Sequence, residues 1–172
     1  MKSFILIALI CFLAGCSATY QRIDITDQPN HKIPRNSKIL ISTSEDGQYA
    51  NKKYPGSGRM TSAEFSSSFK RYSTQVEVTT NCTTVEECLL KAKKGGYKYL
   101  VFPEILHWED RATEWSGKPD RIEIKVSTYE VQSETVIYAS ILAGKGRWAI
   151  PGGDHPQDLL SEPILNYVST LH

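Results

Sequence analysis

The sequence predicts an α/β fold of the α+β sandwich type: a mixed sheet of about five strands with helices packed on it, in the order β-α-β-α-β-β-β-α. Three observations predict it. Short runs rich in β-branched and aromatic residues recur at 38–43, 75–80, 99–106, 121–131 and 135–148. Helix-period segments separate the first three runs and close the chain. The last three runs are joined by turns alone, the pattern of an antiparallel meander. The first two connections are long enough for right-handed crossovers between parallel strands.

Each element has its own signal. Residues 38–43, Lys-Ile-Leu-Ile-Ser-Thr, form a short apolar run of the buried-strand kind. A loop rich in Gly, Ser, Asn and Asp follows to Arg59. Thr61 and Glu64 have capping-box spacing, with Met60 and Phe65 placed for a hydrophobic staple. Phe65, Phe69 and Tyr72 then share one helical face. Val76 and Val78 alternate with polar residues in the second strand. Thr84 and Glu87 make another capping box, opening a helix that carries Leu89 and Ala92 inward and ends at Gly95-Gly96. Residues 99–106 are the most apolar strand, and Pro103 within it marks a bulge or an edge. Ile122, Ile124, Val126 and Thr128 alternate on one face of the next strand. Leu160, Ile164, Leu165, Val168 and Leu171 fall at helical spacing in the tail, where Pro163 marks an early turn or a break.

The head of the chain gives an address. Lys2 precedes an apolar stretch over 4–12 that is too short to span a bilayer, which needs about 20 residues. Its length and flanks are those of an export signal. It ends in Leu13-Ala14-Gly15-Cys16, which resembles the lipobox of bacterial lipoproteins. That resemblance implies cleavage before Cys16, acylation of its thiol and, with Ser17 next, sorting to the outer membrane with the domain facing the periplasm. Two acyl chains, at roughly 0.8 kcal/mol per buried methylene, suffice for stable anchoring. The expected organisation is a signal peptide over 1–15, a lipidated Cys and polar tether over 16–36, and one globular domain over 37–172.

Charge narrows the partners. The chain has 20 Lys and Arg against 19 Asp and Glu. One of the basic residues, Lys2, leaves with the signal, so the remainder is formally neutral and nucleic acid is not an expected partner. Of four Cys, Cys11 belongs to the signal and Cys16 to the lipid. Cys82 and Cys88 remain as a pair in an oxidising compartment, which predicts a structural disulfide across the start of a helix. Their spacing is not that of a redox Cys-x-x-Cys pair, no metal is expected, and no cofactor motif is present.

Two segments carry candidate chemistry. Residues 107–115, His-Trp-Glu-Asp-Arg-Ala-Thr-Glu-Trp, crowd acids, an imidazole and two Trp around one strand end. They suit a ligand or metal site, yet alternation sends His107, Glu109 and Arg111 to one face and Trp108 and Asp110 to the other. The bland alternative is a polar strand end with half-buried Trp. Residues 152–156, Gly-Gly-Asp-His-Pro, offer Asp154 and His155 as an acid and a base, or as a turn and helix cap. Residues 54–59, Tyr-Pro-Gly-Ser-Gly-Arg, faintly suggest an anion nest.

The phrases at 53–59, 107–120 and 152–160 together resemble a family of small proteobacterial outer-membrane lipoproteins catalogued as a domain of unknown function, number 4823. The element order itself resembles TolB amino-terminal-type periplasmic domains. The first resemblance implies an envelope address and brings no mechanism with it. The expected function is therefore a non-enzymatic interaction or assembly module, anchored to the membrane by lipid. Its expected binding surface comprises His107, Trp108, Asp110, Arg111, Trp115, Trp148, Asp154 and His155, and its partner is an envelope protein or a glycan. A periplasmic small-ligand or glycan binder is the alternative, and a hydrolase using Asp154, His155 and an acid from 107–114 is the weaker one.

Overall fold

Ile39, Leu40 and Ile41 are all buried, and this explains why their strand reads as an unbroken apolar run rather than an alternating one. In the computed structural model, which describes residues 18–27, 29, 31–110, 118–146 and 155–172, that strand is covered on both faces. It is β2 (Ile39–Ser42) of a six-stranded mixed sheet. The other members are β1 (Thr19–Asp24), β5 (Val76–Thr79), β6 (Tyr99–Glu109), β7 (Arg121–Glu130) and β8 (Thr135–Lys145), in the spatial order β1-β8-β7-β6-β2-β5. β2 runs parallel to β5 and β6, while β6, β7 and β8 form the antiparallel meander.

Helices α1 (Ser57–Phe69) and α3 (Ser161–Thr170) cover one face of the sheet. Phe65, Phe69, Ile164, Tyr167 and Val168 meet Ile39, Ile41, Val101 and the Ile122, Ile124, Val126 row there. Helix α2 (Val85–Lys94) covers part of the other face, where Cys88, Leu89 and Ala92 pack on Leu40, Leu100 and Val131. A Cys82–Cys88 disulfide joins the turn before α2 to its second turn. The Thr84–Glu87 capping box forms as read: the Glu87 backbone N–H donates to Thr84 Oγ1, and Glu87 Oε2 accepts from the Thr83 and Thr84 N–H groups. These bonds, the Thr83 N–H foremost, hold the Glu87 carboxyl below its usual range.

Three readings need correction. The stretch assigned to the tether is mostly part of the domain. β1 pairs with β8 over six residues, Thr19 opposite Lys145 to Asp24 opposite Ser140, and Ile33 lies in the main core. β1 shows no apolar alternation because its core-side positions after Tyr20 are polar. Arg22 there pairs with Asp24 at 3.0 Å and donates to Thr170 Oγ1, while Asp24 accepts from Ser140 Oγ. Helix α1 starts at Ser57, not near Thr61, so Thr61 is a buried interior residue and the Met60–Phe65 staple does not form at its start. The start is instead capped from a distance. Asp46 Oδ2 accepts from the Gly56 N–H at 3.0 Å and Asp46 Oδ1 from the Gly58 N–H at 2.9 Å. The anion nest suggested by 54–59 is therefore real, and the protein's own carboxylate fills it. The loop before it also holds a small hairpin, β3 (Gln48–Tyr49) with β4 (Lys52–Lys53).

Pro103 sits where β6 has outrun its parallel partner, since β2 pairs only as far as Val101. Its missing N–H costs no ladder bond on that side, which is the edge reading of this proline.

Candidate functional site

The 107–115 and 152–156 segments meet at one end of the sheet, and a bulge in β6 decides which of their side chains point where. The β6–β7 register runs Ile105 opposite Ile124 and then His107 opposite Glu123, leaving Leu106 as the extra residue. Before the bulge, odd-numbered residues such as Val101 and Ile105 face α1 and α3. After it, even-numbered residues do. Trp108 therefore lies opposite Ile122 in the main core, only 2% exposed. This corrects its assignment to a binding surface: Trp108 is a packing residue.

His107 and Glu109 share the opposite side of the strand. Glu109 Oε2 lies 3.2 Å from His107 Nε2, with the Glu109 side chain almost fully buried. Tyr49 of the β3 hairpin stacks edge-on against the His107 ring at 5.1 Å. His107 is thus held from two sides.

Asp110 follows β6 and is pinned through its backbone. The Tyr54 hydroxyl accepts from the Asp110 N–H at 3.3 Å and donates toward the Asp110 carbonyl at 3.4 Å. Asp120 stands just before β7. The Glu109–Arg121 pair closes the described β6–β7 register, which brings 110 and 120 together, and the Asp120 carbonyl accepts from the Gly146 N–H at 2.8 Å. His155 opens a short 3-10 helix, Pro156–Leu159, at its N-cap position, and its N–H donates to Asp158 Oδ2 at 2.9 Å. Its side chain reaches back to Asp110, with Nδ1 3.8 Å from Oδ1. Two carboxylates and an imidazole from three separate points of the chain thus converge, one donor atom of each lying within 4.8 Å of the others.

Of the residues expected to form the binding surface, Asp110 and His155 are brought together, His107 lies on β6 three residues before Asp110, and Trp108 leaves for the core. Arg111, Trp115, Trp148 and Asp154 lie outside the described residues, as does the lipidation position Cys16. Asp120 is not among the residues expected at the binding surface. The signal for it was available, because an antiparallel pairing that matches 109 with 121 must also place 110 near 120. Tyr49 and Tyr54 were missed because their hairpin is two residues per strand, too short for any periodicity.

The α2-side face of β1, β8 and β7 is only partly covered by the described residues. One row crosses it: Ile23 opposite Ile141, Ile141 opposite Lys125, Lys125 opposite Glu104. Ile23 is 61% exposed, and Lys125 Nζ meets Glu104 Oε2 at 2.7 Å. No helix among the described residues is long and apolar enough to cross a membrane.

A family model described as Domain of unknown function (DUF4823) matches residues 31–171. No curated protein matches the sequence significantly. Among solved structures, the PelC dodecamer from Paraburkholderia phytofirmans superposes with a TM-score of 0.67 at 12% identity, over 90% of this chain and 97% of that one. A point variant of the same dodecamer gives 0.66 at 12% identity, over 90% and 98%. TolB from Acinetobacter baumannii matches more loosely, with a TM-score of 0.37 at 10% identity, over 88% of this chain and 30% of that one. At these identities the likeness is one of fold.

Proposed function

The chain belongs to the DUF4823 family, and on that footing we propose that it is a lipid-anchored module of the outer membrane that works by assembly rather than by catalysis. One observation carries the reading: the first strand of the domain begins three residues after the lipobox cysteine. At most about 3.5 Å per extended residue, Cys16 and Thr19 can be no more than about 10 Å apart. A lipid on Cys16 would hold β1 close to the headgroups instead of letting the domain drift on a long tether.

Among the described residues β1 is an edge strand, paired with β8 on one side only. Beside it Ile23 and Ile25 are both more than half exposed. An open edge flanked by exposed isoleucines is a surface that a neighbouring chain can extend or cover. The fold is shared with PelC, whose solved structure is a dodecamer, and this favours a second copy of the chain as the neighbour. The glycan-binding reading loses ground, because Trp108, one of the aromatic rings it needed, is buried in the core.

The test is site-specific photo-cross-linking of the full chain in intact cells, with the reactive group placed at Ile23 or Ile25. A cross-linked ladder of the protein with itself, absent when the group sits at the buried position Ile137, supports assembly. Monomer alone from both edge positions overturns it.

A further inference from the structure

We propose that the gap beyond the end of β2 is a docking slot for an extended peptide segment of another protein, one that carries an apolar side chain next to a Lys or Arg. The slot goes beyond the assembly reading and does not depend on it.

The backbone makes the gap. β2 pairs with β6 only as far as Val101, while β6 runs on to Glu109. Tyr99 and Val101 turn their backbone groups toward β2. The Tyr99 N–H donates to the Lys38 carbonyl at 3.3 Å, and the Val101 carbonyl accepts from Ser42 Oγ at 3.5 Å. Backbone direction alternates along a strand. The Pro103 carbonyl and the Ile105 N–H and carbonyl therefore point the same way, into space beyond the last β2 pair. This is a short open edge of the kind to which a peptide strand adds.

Topology points to the same place. β2 leads into α1 on one face of the sheet, and its neighbour β5 leads into α2 on the other. Parallel neighbours whose chains part in this way leave a crevice at their carboxyl ends, where open α/β sheets take ligands. A cavity of about 430 Å³ lies there, within the usual size range of ligand sites.

The lining selects the ligand. Thr43 Oγ1 and Ser44 Oγ, just past the end of β2, have almost no exposed surface and no hydrogen-bond partner. Both residues line the cavity, and a turn about χ1 brings either hydroxyl to a peptide N–H or carbonyl there. Val85, Phe102 and Leu106 supply an apolar wall, and Leu106, the extra residue of the bulge, is 50% exposed. Glu45 and Glu104 also line the cavity, and among the described residues no Lys, Arg or His does. Lys125 already pairs with Glu104, which leaves Glu45 to meet a cation. At the start of α2 the Thr83 and Thr84 N–H groups are taken by the Glu87 carboxylate, so that position does not call for an anionic ligand. An extended main chain with an apolar residue and a neighbouring basic one satisfies the open edge, the hydroxyls, the wall and Glu45 together.

The experiment is fluorescence anisotropy of a labelled, end-blocked peptide, Lys-Val-Leu-Val-Lys, titrated with the full chain in detergent, with the site mapped by amide chemical shifts. Saturable binding should perturb the amides of Thr43, Ser44 and Ile105. Leu106→Ser should weaken it about tenfold through lost apolar contact, and Glu45→Gln about threefold through a lost exposed ion pair. Both positions are exposed, and circular dichroism checks that the variants fold. Ile23→Ser, beside the β1 edge, should change nothing, which separates this slot from the assembly edge. The same peptide N-methylated at its three central residues keeps its side chains and charge but loses the N–H groups that pairing needs, and it should not bind. Nor should Glu-Val-Leu-Val-Glu. Absence of saturable binding at millimolar chain concentration, or equal binding of the N-methylated peptide, overturns the proposal. Affinity that survives Leu106→Ser and Glu45→Gln together, or that falls only in Ile23→Ser, overturns it as well.

Discussion

Gly47 lies so close to Trp108 that a Cβ added to it would stand 2.5 Å from the Trp108 Cβ and 2.8 Å from Ile105 Cγ2. The loop after β2 runs against β6 at the bulge, and the bulge is what turns both Ile105 and Trp108 toward the core. Neither contacting atom is the free end of a flexible side chain, so the backbone itself must move to admit a methyl group. Gly47→Ala is expected to cost about 1–3 kcal/mol of stability, the usual range for overpacking. Urea unfolding measures it, and a cost below about 0.5 kcal/mol, the scatter of surface changes, would show that the loop is not held against the strand.

A second prediction concerns the contact between α3 and the sheet. The Tyr167 ring stacks on Tyr138 at 5.2 Å, its hydroxyl shares a hydrogen bond with Thr128 Oγ1 at 2.8 Å, and it lies 3.1 Å from the Tyr138 carbonyl. Burial, first of all, pushes the phenol far above its ordinary pKa, so it stays a neutral donor. Tyr167→Phe leaves the Thr128 hydroxyl buried with its partner gone, at a cost of about 1–3 kcal/mol. Adding Thr128→Val should recover part of that loss, a coupling that a double-mutant cycle reads directly.

Reduction of Cys82–Cys88 tests the third. The closed loop is short, with a sequence separation of 6, so the chain-entropy model gives roughly 2 kcal/mol. The Thr84–Glu87 capping box holds the same helix start, and Thr84→Ala should cost about 1 kcal/mol. Because both devices fix one turn, the cap should matter more after reduction than before it. Equal effects of Thr84→Ala with and without dithiothreitol would show the two to be independent.

The fourth prediction is a pH dependence. His172 stacks face to face on Tyr72 at 4.2 Å, with the Arg35 guanidinium also over the Tyr72 ring. Burial, chiefly, and the nearby Arg35 and Lys32 cations hold its imidazole below the ordinary value, against a weaker opposing pull from the Ile33 backbone. The unfolded chain therefore takes up the proton first as pH falls. The contribution is fully present above the unfolded value of about 6.5 and is lost as pH drops through the lower folded value. His172→Phe keeps the stack and removes the titrating group, so its stability should fall less than that of the wild type between pH 7.5 and 5. Identical slopes for the two proteins would contradict this.

The sequence was most legible where burial is one-sided or complete. The Ile122-Ile124-Val126 alternation, the apolar run of β2 and the α3 stripe, Leu165 excepted, translate into the core as read. It was least legible where polar contacts do the holding. β1 is kept in the sheet by backbone pairing, the Arg22–Asp24 ion pair and Ser140, none of which leaves an apolar period. The start of α1 was misplaced because its cap, Asp46, comes from ten residues before Gly56, and local capping rules do not look that far. At the candidate site, strand parity was sound on both sides of Leu106 but not across it. One inserted residue moved Trp108 from surface to core, and single-sequence patterns carry no sign of a bulge there. The partnership of Asp110 with His155 depends on how the 3-10 helix docks on the sheet, which no local pattern encodes.

The proposed lipid on Cys16 would bring β1 to the bilayer, and the assembly reading depends on it. Intact-mass spectrometry of the full chain purified from its own membranes, paired with fractionation of a Cys16→Ala variant, tests it most directly. The result expected is a polypeptide beginning at Cys16 with its mass raised by attached acyl chains, and a variant released from the membrane fraction. A free thiol at Cys16 on a chain that still carries residues 1–15 would contradict it.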